Sequence, residues 1–379
     1  MLNRRRFLLG CALLSGGGVL TRKGLALGLL EPGAAQPVAI GAVQPIGIAA
    51  DDPRVLGLVE RATVIDMLGL LTLDWGRLRS WQRDPGAFGD ADFRRLLASG
   101  VNVFHPAVDP NSSEPHAAVI RWAADWNELL RNQTRYLLAV RGIADLDRAR
   151  TEKRIGILIG FQSSDHFRTI EDVALFYGLG QRVSQLTYND RCRLGSGCRD
   201  PQDEGLTDFG RQVVSEMNRV GMAIDLSHCS EKTTLAAIDR SSRPALVTHS
   251  NCRALASHPR NKSDAEIRAL AARGGVMGIA AVRAFLGGNP TIDGMLDHFV
   301  HVAQLVGVEH VGVGSDCDLD PYDPATGRAR AAYDLQGLRN GRRAYDLAAG
   351  LLSRGFGEAE VELILGGNFR RVLGEIWTA

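Results

Sequence analysis

Several patterns that point to particular protein classes are missing from this sequence. No Gly-x-Gly-x-x-Gly motif follows an early strand, which weakens a dinucleotide-binding interpretation. The six cysteines include no Cys-x-x-Cys pair, so a zinc site built from cysteines is not expected. The net charge is only +1, and no basic stripe with interleaved aromatic residues is present. Nucleic acid is therefore not an expected partner. Internal repeats and low-complexity tracts are also absent.

The composition is that of an ordinary globular protein. Hydrophobic residues make up 45% and charged residues 23% of the 379 residues, which excludes a disordered chain. The length is sufficient for one large domain or two ordinary ones with a substantial core.

The first residues resemble an export signal rather than part of the fold. "MLNRRRFLLGCALLSGGGVL" begins with basic residues and continues with an apolar run shorter than the about 20 residues of a membrane span. The stretch from Arg4 to Leu8 resembles a twin-arginine signal, and "GAAQP" offers small residues for cleavage near Ala35. We therefore predict a signal peptide over 1–35, a lead-in over 36–59, one domain over 60–379, and a periplasmic or secreted protein without a transmembrane span.

Two cysteines leave a question open. Cys192 and Cys198 flank "RLGSG" and could close a small disulfide loop in an oxidising periplasm. Two free or buried thiols are an equally good interpretation.

Short apolar runs alternate with segments of helical periodicity from about residue 60 onward. Continuous apolar runs are typical of parallel strands that are covered on both faces. Nine such runs predict strands, over 63–70, 101–108, 135–140, 155–162, 182–188, 222–228, 244–250, 275–282 and 310–316. The alternation predicts an α/β fold, a (β/α)8 TIM barrel with one surplus strand. A doubly wound open sheet is the alternative.

Three helical segments carry recognisable end signals. The segment 209–221 ends in Gly221, which suits a helix C-terminus. The segment 263–275 opens with Ser263 and Glu266 at the spacing of a capping box. The tail reads as a helix interrupted at Gly366 and Gly367.

Polar side chains close several of the predicted strands. In chain order they are Gln162, Tyr188, His228, His249 and Asp316. The carboxyl ends of barrel strands carry the functional residues, and neighbouring strands lie about 4.8 Å apart. Two imidazoles on consecutive strands can therefore share one ion, and zinc accepts imidazole nitrogen and carboxylate oxygen.

Five segments closely resemble the membrane (renal) dipeptidase family of zinc peptidases. They are "AIDLSHCS", "ALVTHSNCRAL", "HPRNKSDAEIRALAARGGVMGI", "VGVGSDCD" and "GGNFRRVL". The resemblance extends from about 60 to 377, and implies the (β/α)8 barrel of the amidohydrolase superfamily, zinc and a homodimer. It also implies that His228 and His249 hold metal, that Arg260 grips a substrate carboxylate, and that Asp316 assists with the substrate amine and proton transfer.

Half of the family's binuclear site is replaced in this sequence. Leu68 and Leu70 stand where the resemblance implies a His-x-Asp pair, and Gln162 stands for the bridging glutamate. Tyr188 stands for the histidine that polarises the scissile carbonyl. Leucine supplies no ligand and an amide supplies no negative charge, so we predict that the binuclear site is absent. Asp66, which precedes Leu68 by two residues, is a candidate substitute ligand. A bacterial branch of the family resembles this chain in the Gln162 strand and in "LGSGC".

The leading functional hypothesis is a hydrolase that cleaves dipeptides or small N-acyl amino acids with one metal ion. Its metal ligands would be His228 and His249, with Asp316 as third ligand or general base. Tyr188 would polarise the carbonyl, while Arg260 and Gln162 would contact the substrate. The alternatives are an inactive family member that binds a peptide or amino-acid derivative, and a metal-independent reaction.

Overall fold

The computed structural model describes residues 47–110, 112–320, 332–333 and 335–377. The predicted signal peptide and the first part of the lead-in therefore lie outside the described residues. The rest of the lead-in runs into a helix, Pro53–Arg61, whose N-terminus is capped by the Asp52 carboxylate. Val55, Leu58 and Val59 of this helix are buried, so this stretch contributes to the core.

Ten parallel strands form a single sheet among the described residues. They are β1 (Ile65–Asp66), β2 (Val103–Phe104), β3 (Leu137–Ala139), β4 (Ile155–Ile157), β5 (Gly160–Phe161), β6 (Val183–Gln185), β7 (Ala223–Asp225), β8 (Leu246–Ser250), β9 (Val276–Ile279) and β10 (Val311–Val313). Each predicted strand contains an observed one, and β4 and β5 share the predicted run 155–162.

The sheet closes into a barrel through the run that contains β4 and β5. β4 pairs with β2, and β5 pairs with β6. A further parallel bridge joins Val108 to Phe161. The barrel wall therefore has eight strand positions, in the order β1, β2, β4–β5, β6, β7, β8, β9 and β10, and β10 pairs back to β1. The predicted (β/α)8 barrel is confirmed, and the open-sheet alternative is wrong. The surplus strand is β3, which pairs only with β4, outside the ring.

Helices follow or separate the strands. Beyond the first helix they span Trp75–Arg83, Asp90–Ala98, Pro115–Asn132, Ile143–Thr151, Glu171–Gly178, Asp208–Val220, Glu231–Arg240, Asp264–Ala272, Ile292–Val306, Arg343–Ser353, Glu358–Glu362 and Asn368–Trp377. Among the described residues, none combines the length and the apolar character that crossing a bilayer requires.

The predicted helix ends are confirmed. Gly221 follows its helix with φ of 81°, a left-handed conformation that glycine adopts at little cost. Ser263 and Glu266 form the capping box. The tail is interrupted at Gly366, where an added Cβ would lie 2.0 Å from the Thr63 carbonyl oxygen. Only glycine fits this close approach to the chain before β1.

The last helix, Asn368–Trp377, covers the N-terminal end of the barrel. Its buried side chains are Phe369, Val372, Leu373 and Ile376. They belong to the same hydrophobic cluster as the first residues of six strands, which are Ile65, Val103, Val183, Ala223, Leu246 and Val276. With this end filled by apolar side chains, the C-terminal end of the strands is left for chemistry.

We predict that Phe369→Ala lowers the free energy of unfolding by about 3–5 kcal/mol, because it leaves a cavity under the barrel. Leu363→Ala is the matched control, since Leu363 is 38% exposed and Phe369 is fully buried. Urea unfolding followed by circular dichroism measures both. Equal losses in the two variants would contradict this role of the last helix.

Candidate functional site

Two histidine rings meet at the C-terminal end of the barrel. His249 lies in β8, and His228 lies three residues beyond the end of β7. Their Nε2 atoms are 3.1 Å apart, and both side chains are buried. The two residues that the sequence singled out are therefore brought together, and their ring nitrogens point at one another.

The other nitrogen of each ring is held by an oxygen. His228 Nδ1 lies 2.8 Å from Asn189 Oδ1, which also accepts from Cys198 Sγ at 3.5 Å. An amide oxygen only accepts, so Nδ1 of His228 carries the proton. His249 Nδ1 lies 2.8 Å from Thr248 Oγ1, whose own proton is donated to Asp225 at 2.7 Å. Each ring therefore presents an unprotonated Nε2.

This arrangement fits one metal ion. Two nitrogens bound to a tetrahedral zinc at about 2.0–2.1 Å lie about 3.3 Å apart, close to the 3.1 Å between the two Nε2 atoms. Two lone pairs at this distance repel each other unless a cation lies between them. The described residues contain no group of three or more His, Cys, Asp or Glu side chains that could hold a metal ion.

Protonation of the pair is opposed by its surroundings. Burial, followed by the positive charge of Arg260, lowers the pKa of both His228 and His249 well below the usual value. The charge of Lys262 acts in the same direction. Both imidazoles are therefore neutral at neutral pH, which is the form that binds metal.

Tyr188 is part of this site. Its ring stacks on the His228 ring, with 4.2 Å between centroids and 23° between planes. The stack restricts rotation of the imidazole plane. Asn189, the next residue along the chain, orients the same imidazole through its Nδ1. One short segment after β6 thus holds His228 in two ways.

Arg260 is buried beside the pair. It is 2% exposed, Nη2 donates to the His249 carbonyl at 2.9 Å, and Nη1 donates to the Ser227 carbonyl. Arg260 forms no ion pair with any carboxylate of the described residues, and its Nε has no hydrogen-bond partner there. A guanidinium has five N–H donors, so further donors remain beyond those that the two carbonyls accept.

Asp316 lies after β10 in an uncommon backbone conformation. Its φ is 57°, a region that costs a non-glycine residue free energy and is enriched at functional sites. Burial raises the pKa of Asp316 to about 7, while Arg260 opposes this shift and Asp66 adds to it. Asp316 is therefore close enough to Arg260 to share the electrostatics of the site, and it titrates near neutral pH.

The residues that stand where the family resemblance implies further metal ligands have apolar or already hydrogen-bonded side chains. Leu68 and Leu70 are buried. The Gln162 amide donates from Nε2 to the Ala107 carbonyl at 3.0 Å, which fixes its orientation. Among the described residues, Gln162 forms no hydrogen bond with either histidine. The structure thus gathers His228, His249, Tyr188 and Arg260 by direct contacts, whereas Gln162 belongs to the strand-end set without touching the pair.

Two other polar residues of the strand ends have structural partners. Asp66 forms a buried ion pair with Arg343, with 2.9 Å between Oδ2 and Nε, and accepts from the Ser315 amide and hydroxyl. It is therefore committed elsewhere, and the idea that it substitutes for a lost ligand is wrong. His105 Nδ1 donates to the Met67 carbonyl at 2.6 Å.

Cys192 and Cys198 are both free thiols. Cys192 Sγ donates to the Leu186 carbonyl at 3.7 Å, and Cys198 Sγ contacts Asn189. The open question about these residues is answered by two separate hydrogen bonds rather than a disulfide.

The sequence model of the membrane dipeptidase family (peptidase family M19) matches residues 55–379. The chain belongs to the membrane dipeptidase family. The resemblance of the five sequence segments is thereby confirmed.

Solved structures and curated sequences agree with this family. An amidohydrolase from Pseudomonas aeruginosa is 28% identical, with a TM-score of 0.73 over 86% of this chain and 99% of that one. A metallopeptidase from Rhodobacter sphaeroides, liganded with a phosphinate mimic of L-Ala-D-Ala, shares the fold at 19% identity, with a TM-score of 0.70 over 83% of this chain and 99% of that one. Dipeptidase tcpJ of Claviceps purpurea is 34% identical over 53% of this chain and 46% of its own length. The chain spans about half the length of the curated relatives that it matches in this way.

Sequence reasoning missed the residues that orient the two histidines. Asn189 directly follows Tyr188, Thr248 directly precedes His249, and Asp225 is a carboxylate in the otherwise apolar strand before His228. The available signal was that each lies within three residues of Tyr188, His228 or His249 in the sequence. Their roles depend on side-chain directions, which adjacency alone does not give.

We predict that the metal-free protein becomes less stable as the pH falls below about 6.5, the ordinary pKa of histidine. The native state keeps His228 and His249 neutral, whereas the unfolded chain takes up a proton at each. Each residue therefore lowers the free energy of unfolding by up to about 1.4 kcal/mol per pH unit in this range. Urea unfolding of chelator-treated protein between pH 8 and pH 5 measures the slope. His249→Gln should show a smaller slope than the wild type, and equal slopes would contradict the prediction.

Proposed function

We propose that this chain hydrolyses the amide bond of dipeptides or small N-acyl amino acids, with a single metal ion held by His228 and His249. The observation that carries the proposal is the convergence of two unprotonated Nε2 atoms at 3.1 Å. A bound zinc ion supplies Lewis acidity and lowers the pKa of a coordinated water. The buried Leu68 and Leu70 argue against a second ion, because they offer no donor atom.

Arg260 is suited to the carboxylate of the substrate. Its guanidinium is buried without an acidic partner among the described residues, and two backbone carbonyls hold its Nη atoms. A fixed guanidinium binds a carboxylate strongly through charge-assisted hydrogen bonds. Binding would neutralise the charge that Arg260 exerts on the two histidines.

Tyr188 and Asp316 are suited to the reacting amide. A phenol hydroxyl can donate a hydrogen bond to the scissile carbonyl oxygen, and the stack on His228 keeps Tyr188 at the site. Asp316, with its pKa raised by burial to about 7, can accept a proton and return it to the leaving amine. Gln162 would contact the substrate through its oriented amide.

The relatives support this substrate class. Dipeptidase tcpJ and Dipeptidase 3 of Rattus norvegicus carry the activity in their names. The Rhodobacter sphaeroides metallopeptidase holds a dipeptide mimic. We carry the same class over to this chain as part of the proposal.

A second candidate function is a family member that binds peptides or amino-acid derivatives without hydrolysing them. The observation that favours it is the small number of metal-binding side chains. Among the described residues, no third acidic, thiol or imidazole side chain joins the two histidines. In such a protein, Arg260 would still bind the carboxylate of the peptide or amino-acid derivative. A metal-independent reaction on a related derivative would instead depend on Asp316 and Tyr188 alone.

We also propose that the protein is exported, because residues Arg4 to Leu8 resemble a twin-arginine signal. Its place of action would then be the periplasm or the exterior. Assembly as a homodimer is likewise a proposal, which rests on the family resemblance.

The mature protein is predicted to bind about one equivalent of zinc and to hydrolyse members of a dipeptide panel. His228→Ala and His249→Ala should each abolish zinc binding and turnover, because each removes one of the two nitrogens. Metal analysis by mass spectrometry and a ninhydrin assay of released amino acids measure the two effects. His310→Ala, in a half-buried histidine away from the pair, is the control.

Three outcomes separate the candidate functions. Zinc with turnover supports the hydrolase. Dipeptide binding without zinc or turnover supports the binder. Turnover that persists in both histidine variants supports the metal-independent reaction and contradicts the proposed metal site.

The pH dependence of catalysis tests Asp316. A general base must be deprotonated, so kcat/KM is predicted to rise with pH and to level off above the pKa of Asp316. Burial raises this pKa to about 7 in the metal-free protein, and a nearby dication would lower it, so about pH 7 is the upper bound for the limb. Asp316→Asn should lose both the activity and this pH limb. A profile that instead falls through pH 7 would contradict the role of Asp316 as base and identify it as an acid.

A further inference from the structure

A chain of three buried groups lies behind one of the two histidines. Thr248 Oγ1 donates to Asp225 Oδ2 at 2.7 Å, and His249 Nδ1 lies 2.8 Å from the same hydroxyl oxygen. Asp225, Thr248 and His249 are each no more than 2% exposed. Water therefore does not compete for these hydrogen bonds.

The direction of each hydrogen bond follows from the donors available. The Asp225 carboxylate accepts from the amides of Ser227 and Thr248 and from both of their hydroxyls. A hydroxyl has one proton, and that of Thr248 is directed to the charged Asp225 Oδ2 at 2.7 Å rather than to the neutral Ser227 Oγ at 3.1 Å. The Thr248 oxygen can then only accept from His249, so the ring proton of His249 is held on Nδ1.

Asp225 has a second hydroxyl partner that does not reach the ring. Ser227 Oγ donates to Asp225 Oδ1 at 2.6 Å and accepts from the backbone amide of His249 at 3.0 Å. Ser227 and Thr248 are therefore alike in burial and in their bond to the carboxylate. Ser227 Oγ also lies 3.1 Å from Thr248 Oγ1, but only Thr248 contacts the imidazole. Ser227 is therefore the control for a disturbance of the same hydrogen-bond cluster that leaves the contact with the ring in place.

We propose that Asp225 and Thr248 are positioning residues that fix the tautomer of His249, so that its Nε2 presents a lone pair toward His228. A carboxylate imposes the direction of the Thr248 hydroxyl, and the hydroxyl imposes the position of the ring proton. The consequence for metal binding rests on the proposed function. The tautomer itself does not, because it is set by hydrogen bonds in the metal-free protein.

The experiment compares the wild type with Thr248→Val, Thr248→Ser and Ser227→Ala. Valine keeps the shape of threonine without the hydroxyl, and serine keeps the hydroxyl. Long-range 15N–1H NMR spectra of chelator-treated protein report which ring nitrogen of His249 is protonated. Zinc affinity is measured on the same samples by competition with a chromophoric chelator.

The expected result is an Nδ1-protonated His249 in the wild type, in Thr248→Ser and in Ser227→Ala. In Thr248→Val the Nδ1 proton has no acceptor, so the spectrum should shift toward Nε2 protonation. Zinc affinity should then fall by about 10–100-fold, the usual loss when a ligand's hydrogen-bond partner is removed. Thr248→Ser should restore most of the affinity.

An unchanged tautomer in a folded Thr248→Val variant would overturn the proposal. A loss of zinc affinity in Ser227→Ala equal to that in Thr248→Val would also overturn it, because the effect would then be structural. If Thr248→Val does not fold, a Thr248→Ser protein with Nε2 protonation would overturn it instead. A wild type that binds no zinc, while the tautomers behave as expected, would refute the proposed metal site and leave the positioning role supported.

Discussion

The contact between the Nε2 atoms of His228 and His249 is the feature on which the rest of the site depends. At 3.1 Å, two neutral imidazoles with their lone pairs facing each other are unfavourable without a cation between them. The fold nevertheless enforces this geometry from behind, through Asn189 on one ring and Thr248 with Asp225 on the other. The two histidines also belong to consecutive barrel strands, since His228 follows β7 and His249 lies in β8. The N-terminal end of this barrel is filled by the last helix.

The charges around the site are the reason for proposing one metal ion rather than two. A pair of dications needs bridging and terminal carboxylates, and the matching positions here are Leu68, Leu70 and Gln162. The two nearby cationic side chains, Lys262 and Arg260, differ in whether they form an ion pair. Lys262 forms an ion pair with Glu266 at 3.1 Å, whereas Arg260 forms no ion pair with a carboxylate among the described residues. A substrate carboxylate on Arg260 would remove much of the repulsion felt by a metal ion, so substrate and metal should favour each other's binding.

Much of this organisation could be predicted from the sequence, for a physical reason. Strands covered on both faces read as continuous apolar runs, so each of the nine predicted runs contains at least one of the ten observed strands, and the polar residues at their ends stood out. The same pattern could not reveal that β3 lies outside the ring, because it is as apolar as the others. Nor could it show that Asp66 is taken by Arg343, or that Asn189 and Thr248 orient the histidines, since these contacts depend on side-chain directions and on partners distant along the chain.

The central claim is that the two imidazoles share one metal ion. The most direct measurement is anomalous X-ray diffraction at the zinc edge from crystals of the zinc-loaded protein. We expect a single peak between the rings, at about 2.0–2.1 Å from both Nε2 atoms. Two peaks about 3.5–4 Å apart, as in binuclear hydrolases, or no peak between the rings, would contradict it.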